Sequence, residues 1–193
     1  RELYQVSGYP KSTIYALLST LRAYGCIRQE SDGRYYLGTK LFQWGCSVSA
    51  SWDITRLARP YLERLARDTG STALLSRVEG SSITVIDQCV SGAGIRVASE
   101  MGSHVSLYAT SQGKLLLASL SDSAVRRLIP EGKLQAFTPH TLTDFPALLA
   151  DLERIRTQGY AIENGEYKIG LRSVSAPVYS RENDIAYIVS AVG

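Results

Sequence analysis

The sequence has few of the residues that form metal centres and disulfide frameworks, with only three cysteines and two histidines among 193 residues. Cys26, Cys46 and Cys89 are far apart, and no pair of them has the C-x-x-C spacing. Because disulfide frameworks and structural zinc sites need cysteines at characteristic spacings, this pattern argues against both. We therefore expect no metal and a location in the reducing cytoplasm.

Long hydrophobic runs are lacking as well. No segment has about 18 or more consecutive apolar residues, and the polar N-terminus shows no signal-peptide pattern. Apolar residues nevertheless make up 45% of the sequence, and glycine and proline are thinly spread, so a sizeable core can form. We predict a soluble globular protein with no membrane partner, built as one large or two small domains.

The motifs of nucleotide-binding enzymes are incomplete. Gly113-Lys114 resembles part of a phosphate loop, but the first glycine and the Ser or Thr that holds magnesium are both replaced. GAGIRV at residues 92–97 has two glycines in a dinucleotide-binding spacing, with Val97 in place of the third. The sequence shows no convincing pair of nucleophile and general base. We predict no cofactor and no catalytic residue, with an enzyme acting on a small carboxylate as the alternative function.

The excess of positive charge lies at the start of the chain. Residues 1–50 contain six basic and three acidic residues, whereas residues 51–193 contain fifteen of each. Such a surplus favours a polyanionic partner, although an ordinary solvated surface also accounts for it on charge alone.

The stretch YPKSTIYALLSTLRAYGCI, residues 9–27, predicts a helix with one apolar and one polar side. Apolar residues recur at i, i+3, i+4 and i+7, at Ile14, Leu17, Leu18 and Leu21. The opposite side carries hydroxyls and small groups and has no acid. We expect the apolar stripe to pack inward and the polar side to accept a flat, negatively charged surface.

The elements around this helix follow the order of a winged helix-turn-helix domain. RELYQVSG predicts a short helix that ends at Gly8, and CIRQESDGRYYLG predicts a hairpin around Asp32-Gly33. In this fold the second helix enters the major groove and the hairpin follows the backbone. The predicted DNA contacts are Ser12, Thr13, Tyr15 and Ser19 at the groove, Lys11 and Arg22 at phosphates, and Arg34 on the wing. A helical hairpin that packs on the rest of the protein, or binds another protein, is the structural alternative.

Beyond this module, residues 39–51 predict a linker helix with Leu41, Trp44 and Val48 on one side. That side faces either another subunit or its own domain. Residues 52–193 then predict an amphipathic helix, two strands, several helices and three final strands. Strands at both ends with helices between them favour an antiparallel sheet with helices packed against it, which is an α+β domain.

A helix that begins at Thr110 or Ser111 is a candidate seat for a small anion, because its first N–H groups have no partner within the helix. Thr110 capping its own helix is the simpler interpretation. The last strands add the hydroxyls of Ser173, Ser175 and Ser190. These serines either line one pocket or are ordinary strand residues.

Five stretches together resemble the IclR-type bacterial transcriptional regulators, in order and in separation. They are residues 9–27, DGRYYLGTKLFQWG, RPYLERLARDTG, SLYATSQGKLLLA and GYAIENGEYKIGLRSVSAPVY. The resemblance implies a winged helix-turn-helix domain at residues 1–38, a linker helix at 39–51, and a GAF-like α/β effector-binding domain at 52–193. It also implies a further helix before Arg1 and another after Gly193.

The resemblance implies a regulator that binds a double-stranded DNA operator as a homodimer or homotetramer. It would act as repressor or activator of a catabolic operon and sense a small organic acid. Carried over by position, the effector site falls on Ser111, Gln112, Glu163, Ser173 and Ser190, and we add Val97 and Thr110 to this predicted set. Glu163 stands where an aspartate is common in the family. A sensor that binds proteins and not DNA is a third possibility.

Overall fold

The computed structural model describes residues 2–51, 53–90, 106–130 and 132–193. The chain divides into two compact units, residues 1–53 and residues 54–193. Among the described helices, none combines the length and the apolar character that crossing a membrane requires. Val97 and the rest of residues 91–105 lie outside the described residues.

The first unit contains two helices, a hairpin and a third helix. They are α1 (Glu2–Ser7), α2 (Lys11–Ala23), β1 (Ile27–Gln29), β2 (Tyr35–Leu37) and α3 (Thr39–Ser51). β1 and β2 pair antiparallel, with Ile27 opposite Leu37. Gly33 in the connecting turn has φ 81°, a left-handed conformation that a residue with a Cβ rarely adopts. The element order is therefore the one that the sequence predicts.

The predicted inward stripe of α2 is only partly correct. Ile14 and Leu18 are half-buried, but Leu17 and Leu21 are 51% and 42% exposed, and no residue of α2 is fully buried. Ser19, expected on the groove side, is half-buried. Helical periodicity identifies the apolar side of a helix, but burial requires a neighbouring element, and no described element covers Leu17 or Leu21.

The second unit is an α+β domain, as predicted. Its elements are α4 (Asp53–Thr69), β3 (Thr72–Glu79), β4 (Ser82–Cys89), α5 (Ser111–Ala118), α6 (Asp122–Leu128), α7 (Phe145–Gln158), β5 (Ala161–Asn164), β6 (Arg172–Tyr179) and β7 (Ile185–Val192). The five strands form one sheet in the order β4-β3-β7-β6-β5, and every described pair is antiparallel.

Helices cover both faces of this sheet. On one face, α5 and α7 form the main core, in which Leu117, Leu148 and Leu152 are completely buried against Ile188 of β7. On the opposite face, Arg59 of α4 binds the carboxylate that β4 presents there. Burial of the apolar side chains between helices and sheet is the main stabilising contribution to this unit.

Helix α5 is the most deeply placed helix, since all of its residues are buried. Gly113 makes this possible, because a Cβ at that position would lie 2.2 Å from the carbonyl oxygen of Ser106. Only a residue without a side chain lets the helix approach the 106–107 backbone so closely. The same helix also packs against β5, β6 and β7.

Candidate functional site

One carboxylate and four serine hydroxyls meet beneath the first turn of α5. In the strand register, Glu163 of β5 lies opposite Ser173 of β6, and Ser175 of β6 lies opposite Ser190 of β7. Because side chains alternate along a strand, Ser173 and Ser175 point to the same sheet face. Ser111 comes down on that face from α5. We call these five residues the serine cluster.

Short hydrogen bonds connect the serine cluster into one chain. The Ser111 hydroxyl lies 2.7 Å from the hydroxyls of both Ser173 and Ser175. The Ser175 hydroxyl lies 2.8 Å from that of Ser190, and the Ser173 hydroxyl donates to Glu163 Oε2 at 3.2 Å. All five residues are buried, with at most 8% of their surface exposed. The five side chains are therefore shielded from bulk solvent.

Backbone donors hold the Glu163 carboxylate in place. Its Oε1 accepts hydrogen bonds from the N–H groups of Glu166 at 2.7 Å and Tyr167 at 3.2 Å. The turn that follows β5 is thus folded around the acid.

A buried ion cluster fastens this turn to α5 and α7. Lys114 is 1% exposed, and its Nζ lies 2.6 Å from Glu166 Oε1 and 2.9 Å from Asp151 Oδ2. Burial raises the pKa of the Glu166 carboxyl, while the hydrogen bond and the charge of Lys114 oppose the rise. A pocket of about 410 Å³ reaches these two carboxylates but is not lined by the serine cluster. In the sequence Lys114 stands out only as part of an incomplete phosphate loop, and no local signal predicts this buried ion cluster.

The start of α5 provides donors beside the serine cluster. The Thr110 hydroxyl accepts from the N–H of Gly113 at 3.1 Å and donates to the Ser106 carbonyl at 2.7 Å, so it caps its own helix. Within the described part of the chain, no acceptor contacts the N–H groups of Ser111 and Gln112. The buried amide oxygen of Gln112 likewise has no partner there. Two donors and one acceptor at this helix start therefore have no partner among the described residues.

The structure brings four of the predicted effector residues together: Ser111, Glu163, Ser173 and Ser190. Gln112 is adjacent, with its amide oxygen unpaired. Ser175 was noted in the sequence but not placed in the predicted site, and it proves to be the link between Ser111 and Ser190. Strand alternation would have signalled it, since it lies two residues beyond Ser173 on the same strand.

In the first unit, most of the predicted DNA contacts are exposed. Exposed positions are Lys11, Ser12, Thr13, Tyr15, Arg22 and Arg34, whereas Ser19 is half-buried. Arg22 donates to the Gln29 side chain at 3.2 Å, which ties the end of α2 to the hairpin. Arg34 lies 3.7 Å from Asp32 across the hairpin turn, with both side chains exposed. The first turn of α2 contains no acid.

The family model described as bacterial transcriptional regulator IclR, C-terminal, matches residues 46–193. This chain is a member of the IclR family. The members of this family are transcriptional regulators and not enzymes, so the enzyme alternative is discarded. Family membership also agrees with the α+β fold of the second unit.

Relatives of the IclR family match nearly the whole chain. The HTH-type transcriptional regulator XynR of Escherichia coli K12 is 33% identical over 98% of this chain and 75% of its own length. The HTH-type transcriptional repressor AllR of the same strain is 32% identical over 95% of this chain and 67% of its own. The similarity therefore extends across both units.

Solved structures of family members share the fold. An IclR-type regulator from Silicibacter sp. TM1040 is 27% identical, with a TM-score of 0.86 over all of this chain and 76% of its own. One from Alicyclobacillus acidocaldarius is 29% identical, with a TM-score of 0.82 over all of this chain and 78% of its own. An IclR homologue from Microbacterium hydrocarbonoxydans, solved with 4-hydroxybenzoate, is 21% identical with a TM-score of 0.77 over 98% and 78%. That last likeness concerns the fold alone.

Proposed function

We propose that this IclR-family member is a ligand-responsive DNA-binding regulator that senses a small organic acid in the cytoplasm and represses or activates a catabolic operon. In this proposal residues 1–38 form the winged helix-turn-helix domain, 39–51 the linker helix and 52–193 the effector-binding domain. The observation that carries it is the buried serine cluster beside the unpaired N–H groups at the start of α5.

The effector site is assigned to the serine cluster because its polar groups suit a small acid. Unpaired N–H groups at a helix start favour an anion by roughly 0.3–1 kcal/mol, and the N–H groups of Ser111 and Gln112 are available for its carboxylate. Ionised Glu163 would repel the anion unless a ligand hydroxyl donates to it or it carries a proton. Hydroxy, keto-hydrate or sugar acids should therefore bind better than plain aliphatic acids.

Burial of the site connects binding to regulation. Ser111, Ser175 and Ser190 are at most 1% exposed, so a ligand reaches them only when the residues that cover them move. A ligand that binds one arrangement better than another shifts the equilibrium between the two. Ligand binding is thereby coupled to a conformational change, which a ligand-responsive regulator requires.

DNA binding is assigned to the acid-free exposed side of α2. Ser12, Thr13 and Tyr15 are placed to read base edges, and Lys11 and Arg34 to contact phosphates. The relatives XynR and AllR carry the designation HTH-type, which supports this assignment. Half-buried Ser19 is the least accessible of the four groove residues proposed from the sequence.

Assembly into a homodimer or homotetramer is part of the proposal. The proposed subunit contact is the side of α3 that carries Leu41 and Trp44, which are three residues apart, and Trp44 is 50% exposed. Leu41 is half-buried, and the side chain of Val48, the third residue predicted for this contact, lies outside the described residues. A two-fold dimer would read a pseudo-palindrome with half-sites about 34 Å apart, or a multiple of that distance.

The function is tested by gel-shift titration of genomic DNA fragments, with and without a panel of small organic acids. We expect one fragment to bind specifically and one acid to change its affinity. Ser111→Ala and Ser173→Ala should weaken the response to that acid and leave DNA binding unchanged. Ser119→Ala is the matched control, because among the described residues its hydroxyl bonds only to the Leu116 carbonyl at the end of α5. An acid response undiminished in both serine variants would refute the assigned site.

A further inference from the structure

The hydrogen bonds of the serine cluster can be satisfied in only one direction when Glu163 is ionised. The cluster has four contacts, and each needs one hydrogen. The four hydroxyls supply one hydrogen each, and an ionised carboxylate supplies none. Ser173 must therefore donate to Glu163, Ser111 to Ser173, Ser175 to Ser111, and Ser190 to Ser175.

This direction determines what the serine cluster offers to a ligand. Every hydroxyl hydrogen is used inside the chain, so only lone pairs remain, and the Ser190 oxygen keeps both of its own. The unpaired oxygen of Gln112 is a further acceptor. When a ligand acceptor faces a protein acceptor in a buried site, neither forms a hydrogen bond, and the binding free energy is weakened by the desolvation of both groups. The side chains therefore suit a ligand group that donates, while the carboxylate of the ligand belongs at the N–H groups of Ser111 and Gln112.

We propose that the charge of Glu163 sets the direction of the hydrogen bonds in the serine cluster. The site then selects ligand acids that carry a hydroxyl donor, and Glu163 takes up a proton when the ligand acid carries only acceptors. The inference rests on the proposed function, since it places the effector at the serine cluster. When Glu163 Oε2 carries a proton, the Glu163 carboxyl donates to the Ser173 hydroxyl, and each of the four serine hydroxyls then donates in the opposite direction. The hydroxyl hydrogen of Ser190 is then free for a ketone oxygen.

The groups around Glu163 are arranged so that a proton on its carboxylate affects the hydrogen bonds of the serine cluster and not the neighbouring ion cluster. The N–H groups of Glu166 and Tyr167 bind Oε1 and stay in place in either charge state. The Glu166 side chain is paired with Lys114, which also binds Asp151. His140 lies against Gly165 in the same turn. Among the described residues, the Ser173 hydroxyl is the only partner of Oε2. A proton added to Oε2 therefore changes the direction of hydrogen bonding in the serine cluster.

The test uses two pairs of acids that differ only in donor or acceptor: lactate with pyruvate, and 2-hydroxyglutarate with 2-oxoglutarate. Isothermal titration of the wild-type protein should show at least one hydroxy acid bound about tenfold or more tightly than its keto partner. Repeating the titration in buffers of different ionisation enthalpy measures proton exchange. We expect about one proton taken up with the keto acid and none with the hydroxy acid.

Glu163→Gln provides a matched variant. Its amide oxygen can accept from Glu166 and Tyr167 as Oε1 does, and its NH₂ group then donates to Ser173, which reverses the chain without a proton. The variant should bind the keto acid more tightly than the hydroxy acid, with no proton uptake. Ser190→Ala should lower hydroxy-acid affinity, and Ser119→Ala should not.

The possible failures of this inference and of the proposed function differ. Four results would each overturn the proposed direction of hydrogen bonding in the serine cluster. They are equal affinities for hydroxy and keto acids, keto-acid binding without proton uptake, an unchanged ligand preference in Glu163→Gln, and no binding by either hydroxy acid. The proposed function would survive each of these results if another acid bound in a manner dependent on Ser111 and Ser173. Wild-type proton uptake needs no variant, so a misfolded Glu163→Gln protein would not remove the test.

Discussion

Replacing Lys114 by methionine should strongly destabilise the second unit. Lys114 is 1% exposed and is the cation shared by Asp151 and Glu166, whose side chains are 8% and 11% exposed. Methionine keeps most of the side-chain volume but leaves two carboxylates buried without this partner. Removing one partner of a buried ion pair costs about 3–5 kcal/mol. At roughly 2–4 °C per kcal/mol for a unit of this size, Tm should fall by on the order of 10 °C.

The pH dependence distinguishes lost charge pairing from lost packing. Burial already raises the folded-state pKa of Glu166, and loss of Lys114 removes the interactions that oppose the rise. A group whose pKa is raised on folding contributes stability below its unfolded pKa and loses it as pH rises through its folded pKa. The loss of unfolding free energy caused by Lys114→Met should therefore be largest near neutral pH. It should shrink as pH falls towards the unfolded pKa of a glutamate, about 4.3.

The assay is urea unfolding followed by circular dichroism at several pH values. Lys133→Met, a substitution of an exposed lysine in the same unit, should change stability by less than about 0.5 kcal/mol. Adding Glu166→Gln to Lys114→Met should recover part of the loss, because it removes the buried carboxylate that has lost Lys114, whereas Asp151 keeps its ion pair with Arg154. A deficit below about 1 kcal/mol, or one independent of pH, would show that the ion cluster is not what holds α5 to the turn after β5.

Three further substitutions test the placement of α5 and α2. Gly113→Ala should destabilise the second unit by more than the 1–3 kcal/mol or so typical of overpacking, because the added Cβ would lie 2.2 Å from the Ser106 carbonyl oxygen; a Tm equal to that of the parent would contradict the close approach. Ser12→Glu should abolish specific operator binding, since it places a carboxylate against the groove, whereas Lys11→Ala should weaken binding to all sequences alike and reduce the salt slope by about one. Gel shifts over a salt series measure both effects, and tight operator binding by the glutamate variant would rule out α2 as the recognition helix.

Local sequence signals predicted the elements of the second unit well. Helix α7 begins after Asp144, whose carboxylate accepts from the N–H of Ala147 at 3.0 Å, and ends at Gly159 with φ 79°. Asp is a preferred residue at a helix N-cap, and Gly readily adopts the left-handed conformation that ends a helix. The strands near the end of the chain lie where they were predicted, but β6 buries Ser173 and Ser175 and leaves Val174 45% exposed, so apolar alternation does not identify its buried side.

Long-range contacts were the part that sequence reasoning missed. Glu166 lies 52 residues beyond Lys114, and no local pattern connects the two. The exposure of Leu17 and Leu21 was predicted wrongly for a related reason, because whether an apolar face is covered depends on elements elsewhere in the chain. Burial and ion pairing are properties of neighbours in space, and periodicity carries information only about neighbours along the chain.

Local spacing and motifs of fixed order were enough to predict the family and the order of helices and strands, and they nominated four of the five residues of the serine cluster. Contact between the strand serines could not be predicted in this way, because it depends on how the strands pair in the folded chain. The pairing of β5, β6 and β7 sets Glu163 opposite Ser173 and Ser175 opposite Ser190, and α5 packs on that sheet face with the Ser111 hydroxyl 2.7 Å from those of Ser173 and Ser175. The direction of the hydroxyl chain follows from that closed set of contacts, because a count of donors and acceptors has meaning only once every partner is in place.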